Sequence, residues 1–244
     1  MVFFDLHVHR NAMNSEEIKA LAKRAKLFNW NGICIVEYVS SENPEIKLSR
    51  EELKKIEAEV GISLFHGAEI RANNPKELKN LLKMVREKVL IVSVHGGEYE
   101  INRAACSDSR VDILSHPYLG RNDCGLDETC LKRARENEVL IGIPFYHLLH
   151  SHGRERVVLL QQIAESIRLC HELKVNVIIT TGAKSSWDIR DPRALASMAN
   201  VLGMDLGKAI DCVSEIPENL VEKNRKKLLG LIPAKGVEVV ENEE

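Results

Sequence analysis

Short apolar runs alternate with amphipathic stretches from the first residues of this chain to about residue 200, and that alternation leaves few folds open. Runs at 2–8, 33–36, 62–70, 89–94, 111–115, 139–143 and 175–181 are rich in Val, Ile and Leu and have strand length. Between them lie helical patterns, such as Ile18, Leu21, Ala22, Ala25 and Phe28 on one face. Asn14 with Glu17 and Ser49 with Glu52 have capping-box spacing, and Pro75 follows Asn74 at a first helical position. Further helices are expected over 127–138, 154–173, 191–202 and 217–229. Strands that alternate with helices pair in parallel through crossover connections. The chain has 244 residues and no obvious linker, close to the roughly 250 of a single barrel. The expected fold is therefore α/β: a TIM-like (β/α) barrel with seven clear strands over residues 1–233. No eighth strand is legible, and the 217–229 helix is expected to close the barrel from below or along its side. A flexible acidic tail is expected over 234–244.

Composition narrows the functional classes. Apolar residues make up 44% and charged residues 29%, as in ordinary globular proteins. The net charge of −2 is not that of a free-standing RNA-binding domain, so any RNA contact needs a local patch or a partner's surface. Six cysteines include no Cys-x-x-Cys pair, which argues for thiols in a reducing compartment rather than a thiolate zinc site. Asp5 interrupts the N-terminal apolar residues, which speaks against a signal peptide, and no apolar run has membrane-spanning length. These features predict cytoplasmic residence and no membrane contact.

The ionisable residues converge. Asp5, His7 and His9 alternate at the end of the first strand, a spacing that points all three to one face. Glu69 ends the third strand, His95 ends the fourth, and His116 follows the fifth. In a (β/α) barrel these strand ends form the C-terminal rim, where active sites lie. Imidazole and carboxylate donors suit a divalent metal such as Zn, Mn or Fe. His7, His9, Glu69, His95 and His116 are the candidate ligands, with Asp5 expected to orient His7 or His9 through a ring N–H. The alternative is a polar plug, hydrogen-bonded to itself and to water.

Asp5-Leu6-His7-Val8-His9 resembles the first motif of the polymerase-and-histidinol-phosphatase (PHP) superfamily of barrel metal enzymes. The resemblance assigns His7 and His9 to its first ligand pair and Glu69 to its bridging carboxylate. His95 and His116 match later histidines, the second in a Ser-His-Pro context. That family usually has Thr-Asp-His after the second strand and Ser-Asp-Ala-His near the last. This chain has Val36-Glu37-Tyr38 and Ala183-Lys184-Ser185-Ser186 instead, so a partial metal site is expected rather than a trinuclear one.

The second half carries another signature. Ser115-His116-Pro117 leads into Arg121-Asn122-Asp123-Cys124-Gly125, and Thr181-Gly182-Ala183-Lys184-Ser185-Ser186 leads into Trp187-Asp188-Ile189-Arg190-Asp191-Pro192-Arg193. Both resemble the ribonuclease P component 3 family. That resemblance implies a protein subunit of ribonuclease P, supporting removal of the 5′ leader from precursor tRNA by the catalytic RNA. Implied partners are the ribonuclease P RNA, the component 2 protein, other holoenzyme proteins and, indirectly, precursor tRNA. Read from the residues, Lys184, Ser185 and Ser186 after the seventh strand suit a phosphate, and Arg121, Arg190 and Arg193 add guanidinium groups. Trp187 could stack on a base, but the expectation is a core Trp187, with Asp188 paired to Arg190 or Arg193. The basic clusters at 132–135 and 225–227 read as solvated helix faces. The alternative function is a PHP-type metal-dependent phosphoesterase with a partial site.

Overall fold

The computed structural model describes residues 1–10 and 14–232, so the expected tail at 234–244 lies outside the described residues. Seven strands form one parallel sheet in sequential order: β1 (Phe4–His9), β2 (Gly32–Val39), β3 (Ser63–Ile70), β4 (Ile91–His95), β5 (Ile113–Ser115), β6 (Leu140–Pro144) and β7 (Val177–Thr180). Helices α1 (Ser15–Leu27), α2 (Arg50–Val60), α3 (Pro75–Val85), α4 (Tyr99–Cys106) and α5 (Glu128–Asn137) connect β1 to β6. The short α6 (Phe145–His150) and the long α7 (Gly153–Leu173) lead to β7, and α8 (Pro192–Val201), α9 (Leu206–Asp211) and α10 (Glu215–Leu228) follow it. This is a nearly closed TIM-like barrel.

Local chemistry explains the boundaries. Asn14 and Glu17 form the expected reciprocal capping box on α1. Ser49, Asn74 and Asp127 cap α2, α3 and α5 through side-chain oxygens. Gly61 ends α2 at φ 70°, a left-handed conformation that costs glycine little. The strands sort their side chains into two cores. Ile33, Ile35, Leu64, Ala68, Val92, Val94, Leu114, Ile141 and Ile179 pack outward with the helices. Leu6, Cys34, Val36, Phe65, Ile91, Ile113 and Ile178 fill the barrel interior.

The barrel is shut without an eighth strand among the described residues. At the lower end, a two-residue segment lies between the seam strands: Phe4 N donates to Val213 O (3.1 Å) and Ile179 N to Cys212 O (3.2 Å). At the upper end, Asp5 accepts from Thr181 N (3.2 Å) and from the Thr181 hydroxyl, while His9 N donates to Ala183 O (2.8 Å). Helix α10 then covers the bottom, as the sequence suggests. Its Leu220 and Val221 join the interior core, and Asn224 Nδ2 donates to Leu90 O (3.0 Å).

Three helices have no counterpart in the sequence reading. α4, α6 and α9 are only eight, six and six residues long, which is too short for a clear helical period to emerge.

Candidate metal centre at the barrel mouth

Glu69 is the hub of the mouth. Its carboxylate is fully buried at the end of β3, and four imidazoles from three other places surround it. Oε2 faces His7 Nε2 (3.3 Å) and His9 Nδ1 (3.6 Å) from β1. Oε1 faces His95 Nδ1 (3.0 Å) from β4 and His116 Nε2 (3.1 Å) after β5. Burial alone would raise the Glu69 pKa, but His7, His116 and His95 outweigh it and hold the carboxyl well below its ordinary value. Burial drives His9 well below the ordinary imidazole value and His116 down to about 4. The rim is thus an ionised carboxylate among histidines that include two held neutral, which is the protonation state that metal ligands require.

All five expected ligands come together, and they do so as two triads. His7, His9 and Glu69 form one, and Glu69, His95 and His116 the other, with ligand atoms inside each triad within 4.8 Å of one another. The two share Glu69, so its two oxygens can serve neighbouring cations. His9 Nδ1 is buried and lacks any hydrogen-bond partner, an expensive arrangement unless something else satisfies it. A divalent ion therefore fits this donor set.

Local backbone irregularities aim the ligands. The β1–β2 register slips between Asp5 and Val8, a bulge that lets Leu6 face the interior while His7 and His9 both face the mouth. The same bulge corrects the expected role of Asp5. Its carboxylate accepts from His7 N (3.2 Å) and from Thr181, not from an imidazole N–H. Burial lifts its pKa to about 6, against the opposing bonds from Thr181 and His7. The His7 ring is oriented instead by Ser115 Oγ, 3.0 Å from its Nδ1. His116 has φ 38°, a left-handed conformation unfavourable for a residue with a Cβ. Its N–H is held by Gly142 O (2.9 Å), so β6 fixes the strained turn.

Two further residues line the mouth beyond the expected ligands. Tyr38 stacks on His9 with centroids 4.8 Å apart, and Arg71 covers its ring at 3.8 Å. It occupies the strand end where the resembling enzymes carry a histidine. His147 packs on His116 at 5.1 Å, and burial pushes its pKa down to about 3. Its position three residues past β6 was the available signal. Glu37 points outward instead, accepting from Arg10 (2.8 Å), Leu48 N (2.9 Å) and His66 (3.0 Å).

The expected phosphate ligands do not form one cluster. Lys184 reaches the mouth with its ammonium 4.3 Å from the Tyr146 ring. Ser185 Oγ donates to Asp188 Oδ2 (2.9 Å), and Ser186 opens a 3-10 turn, Ser186–Asp188. Arg121 is occupied in its own loop, bonding Asp123 (2.6 and 2.9 Å) and Gly97 O (3.1 Å). Arg190 donates to Trp187 O and Ile189 O, and Arg193 lies over Phe3 at the foot of β1. The expectations for Trp187 and Asp188 are overturned. Trp187 is 78% exposed, and Asp188 is buried against His150 (2.9 Å), Ser185 and Lys184 N rather than paired with an arginine. Small polar neighbours satisfy that carboxylate locally, which pins the turn and leaves the indole outside.

The remaining expectations are plainer. The six cysteines are all free and buried. Lys132 and Arg133 pair with Glu128 (2.6 Å) and Glu136 (3.2 Å) on an exposed helix face. No helix among the described residues is long and apolar enough to cross a membrane.

Comparison with known proteins bears on the family and the fold. Residues 2–228 match the family model described as RNase P subunit p30. Ribonuclease P protein component 3 of Methanosarcina acetivorans is 34% identical over 242 residues, covering 99% of this chain and 97% of that protein. A chain in the cryo-EM structure of archaeal ribonuclease P with mature tRNA superposes with a TM-score of 0.81 at 28% identity, covering 98% of this chain and 99% of that one. A Xaa-Pro dipeptidase, at TM-score 0.61 and 12% identity over 92% of this chain and 76% of its own, shares the fold alone.

Proposed function

The chain belongs to the RNase P subunit p30 family and is a protein subunit of ribonuclease P, and from that premise we propose that it supports 5′-leader removal from precursor tRNA as an assembly component. In this reading the catalytic RNA, with its magnesium, carries the chemistry. The partners are that RNA, the component 2 protein and other holoenzyme proteins, with precursor tRNA met indirectly, in the cytoplasm. The observation that carries the reading is its extent: family and structural similarity run through the whole barrel, not through one motif. A net charge of −2 suits a subunit whose RNA affinity is shared with partners.

The mouth supports this division of labour. Where the resembling metal enzymes place acids, this chain has Lys184 over Tyr146, and Asp5 is consumed by Thr181 at the seam. We propose that His7, His9, Glu69, His95 and His116 hold a divalent ion, zinc, manganese or iron, whose first task is to brace the rim. Such an ion also supplies Lewis acidity. The Glu69-centred pair of triads therefore favours one second reading, a surviving phosphoesterase activity at the same rim.

One comparison tests both readings. The wild-type chain and a His7→Ala/His9→Ala variant are purified, assayed for bound metal by mass spectrometry, and added to reconstituted precursor-tRNA cleavage. The proposal expects metal in the wild type, loss of it in the variant, and cleavage supported by both. Cleavage that is indifferent to the wild-type chain, with phosphoester hydrolysis that only the wild type performs, would overturn the assembly role.

A further inference from the structure

Trp187 is the most conspicuous feature that the barrel mouth leaves unused. Exposure of 78% is a costly placement for an indole, and the turn that carries it is not loose. Asp188 anchors it through Lys184 N (3.1 Å), Ser185 Oγ (2.9 Å) and His150 (2.9 Å). Arg190 Nη1 donates to Trp187 O (2.7 Å), and Trp30 Nε1 donates to Arg190 O (2.8 Å), which ties the turn to the foot of α1. The ring is thus held out on a rigid mount.

What it faces is basic and apolar at once. Ala20, Lys23, Arg24 and Leu27 follow one another at i, i+3, i+4 and i+7 along α1, and with Ser186 and Trp187 they line a shallow groove of about 330 Å³. Leu27 is 71% exposed and adds an open apolar side chain to the lining. The Arg24 guanidinium lies 4.4 Å from the Phe28 ring centre and 5.8 Å from that of Trp187, and its buried Nε lacks a hydrogen-bond partner. Neither Lys23 nor Arg24 has a carboxylate at ion-pair distance among the described residues. Lys23 feels only the longer-range field of Glu59, and an aromatic face beside two cations without ion pairs is the arrangement that receives an unpaired nucleotide, with the base stacking and the cations meeting the phosphate.

We propose that Trp187, Leu27, Lys23 and Arg24 form a docking platform for a single-stranded segment of the ribonucleoprotein's own RNA. The platform rests on the ribonuclease P reading. A groove of this size holds about one base, and its fixed walls suit a standing assembly contact rather than a substrate that must come and go. Charge complementarity selects RNA over an apolar protein surface, because burying both cations against protein without carboxylates is unfavourable.

The test uses the whole chain assembled with its partner proteins and the ribonuclease P RNA transcript. Indole emission is compared between the wild type and Trp187→Phe, which isolates the exposed ring from buried Trp30. Trp187→Ala and Lys23→Ala are then titrated with the transcript. Quenching of the Trp187 signal on adding the transcript is expected, with a roughly 5- to 100-fold loss of RNA affinity in Trp187→Ala. Trp187→Phe should recover most of that loss, and Lys23→Ala should flatten the salt dependence by about one phosphate contact. A Trp187 signal that changes on adding partner proteins without RNA, or on adding precursor tRNA alone, would overturn the platform as assigned. So would an unchanged signal and unchanged affinity in a complex that cleaves precursor tRNA normally, an outcome that leaves the ribonuclease P reading intact. If the wild-type chain gives no support to cleavage at all, the family-level role fails and the platform fails with it.

Discussion

Replacing Glu69 by alanine should disturb this protein more than any other single change at the mouth. The carboxylate lies within 3.3 Å of His7, His95 and His116 and within 3.6 Å of His9, and it is fully buried. A charge-assisted hydrogen bond contributes about 1.5–3 kcal/mol, and removing one partner of a buried ionic cluster costs about 3–5 kcal/mol. Three imidazoles lose their acceptor at once, but the buried anion's own desolvation cost disappears with it. A net loss of roughly 3 kcal/mol follows, which for a domain of this size lowers the melting temperature by about 6–12 °C. Glu69→Gln keeps one acceptor and the side-chain volume, and should lose about half as much. The assay is urea unfolding of wild type, Glu69→Ala and Glu69→Gln, each with and without a strong chelator. In chelator the order wild type, Gln, Ala should persist; without it the gap should widen, because both triads lose their shared ligand. An alanine variant within about 0.5 kcal/mol of wild type in both conditions would refute the reasoning, since it would mean that the carboxylate organises nothing.

Other consequences are as direct. Glu37 is held ionised down to a pKa of about 2: burial works against this, and His66, Leu48 N and Arg10 overcome it. With the folded value depressed, its contribution is complete above the unfolded value near 4.5 and is lost as pH falls toward 2. Glu37→Gln should therefore cost about 1–2 kcal/mol at pH 7, after discounting for solvent access, and progressively less below pH 4.5 in denaturant melts at stepped pH. Asp188→Ala should loosen the turn that carries Trp187, seen as faster amide exchange at Lys184 and increased protease sensitivity nearby, while the melting temperature moves by only a few degrees. Gly125 has φ 69°, and a Cβ there would stand 2.0 Å from Pro117 O, so Gly125→Ala should destabilise by more than about 2 kcal/mol in the same melts.

Much of the architecture was legible because its signals are long and repeated. Seven apolar runs, each followed by a break or a capped helix, leave little besides a parallel barrel. The ligand set was legible for a related reason: strand ends in such a barrel all meet at one rim, so His7, His9, Glu69, His95 and His116 could be placed together without knowing a distance. What failed was local geometry. The bulge in β1 changes which way Asp5 points, and a one-residue slip leaves no mark on an alternating pattern. Trp187 was expected inside because aromatics usually are. Whether a given indole is covered depends on the turn beneath it, and here Asp188, satisfied by Ser185, Lys184 N and His150, holds that turn so that the ring projects. Arg190 and Arg193 follow the same turn down the side of the barrel, which their proximity in sequence to Lys184 does not reveal. Tyr38 stood in the sequence only as the residue replacing a motif histidine, and His147 lies in the short α6 beyond β6, so neither the stacking of Tyr38 on His9 nor the packing of His147 on His116 could be read without the fold.

The central claim is that this chain acts as a ribonuclease P subunit, and an omission experiment addresses it most directly. Precursor-tRNA cleavage is measured with the ribonuclease P RNA and the full set of protein partners, at limiting magnesium, with this chain left out and then added back. The account predicts that omission lowers the cleavage rate or raises the magnesium requirement severalfold, and that adding the chain back restores both. Equal rates at every magnesium concentration, with and without the chain, would contradict it.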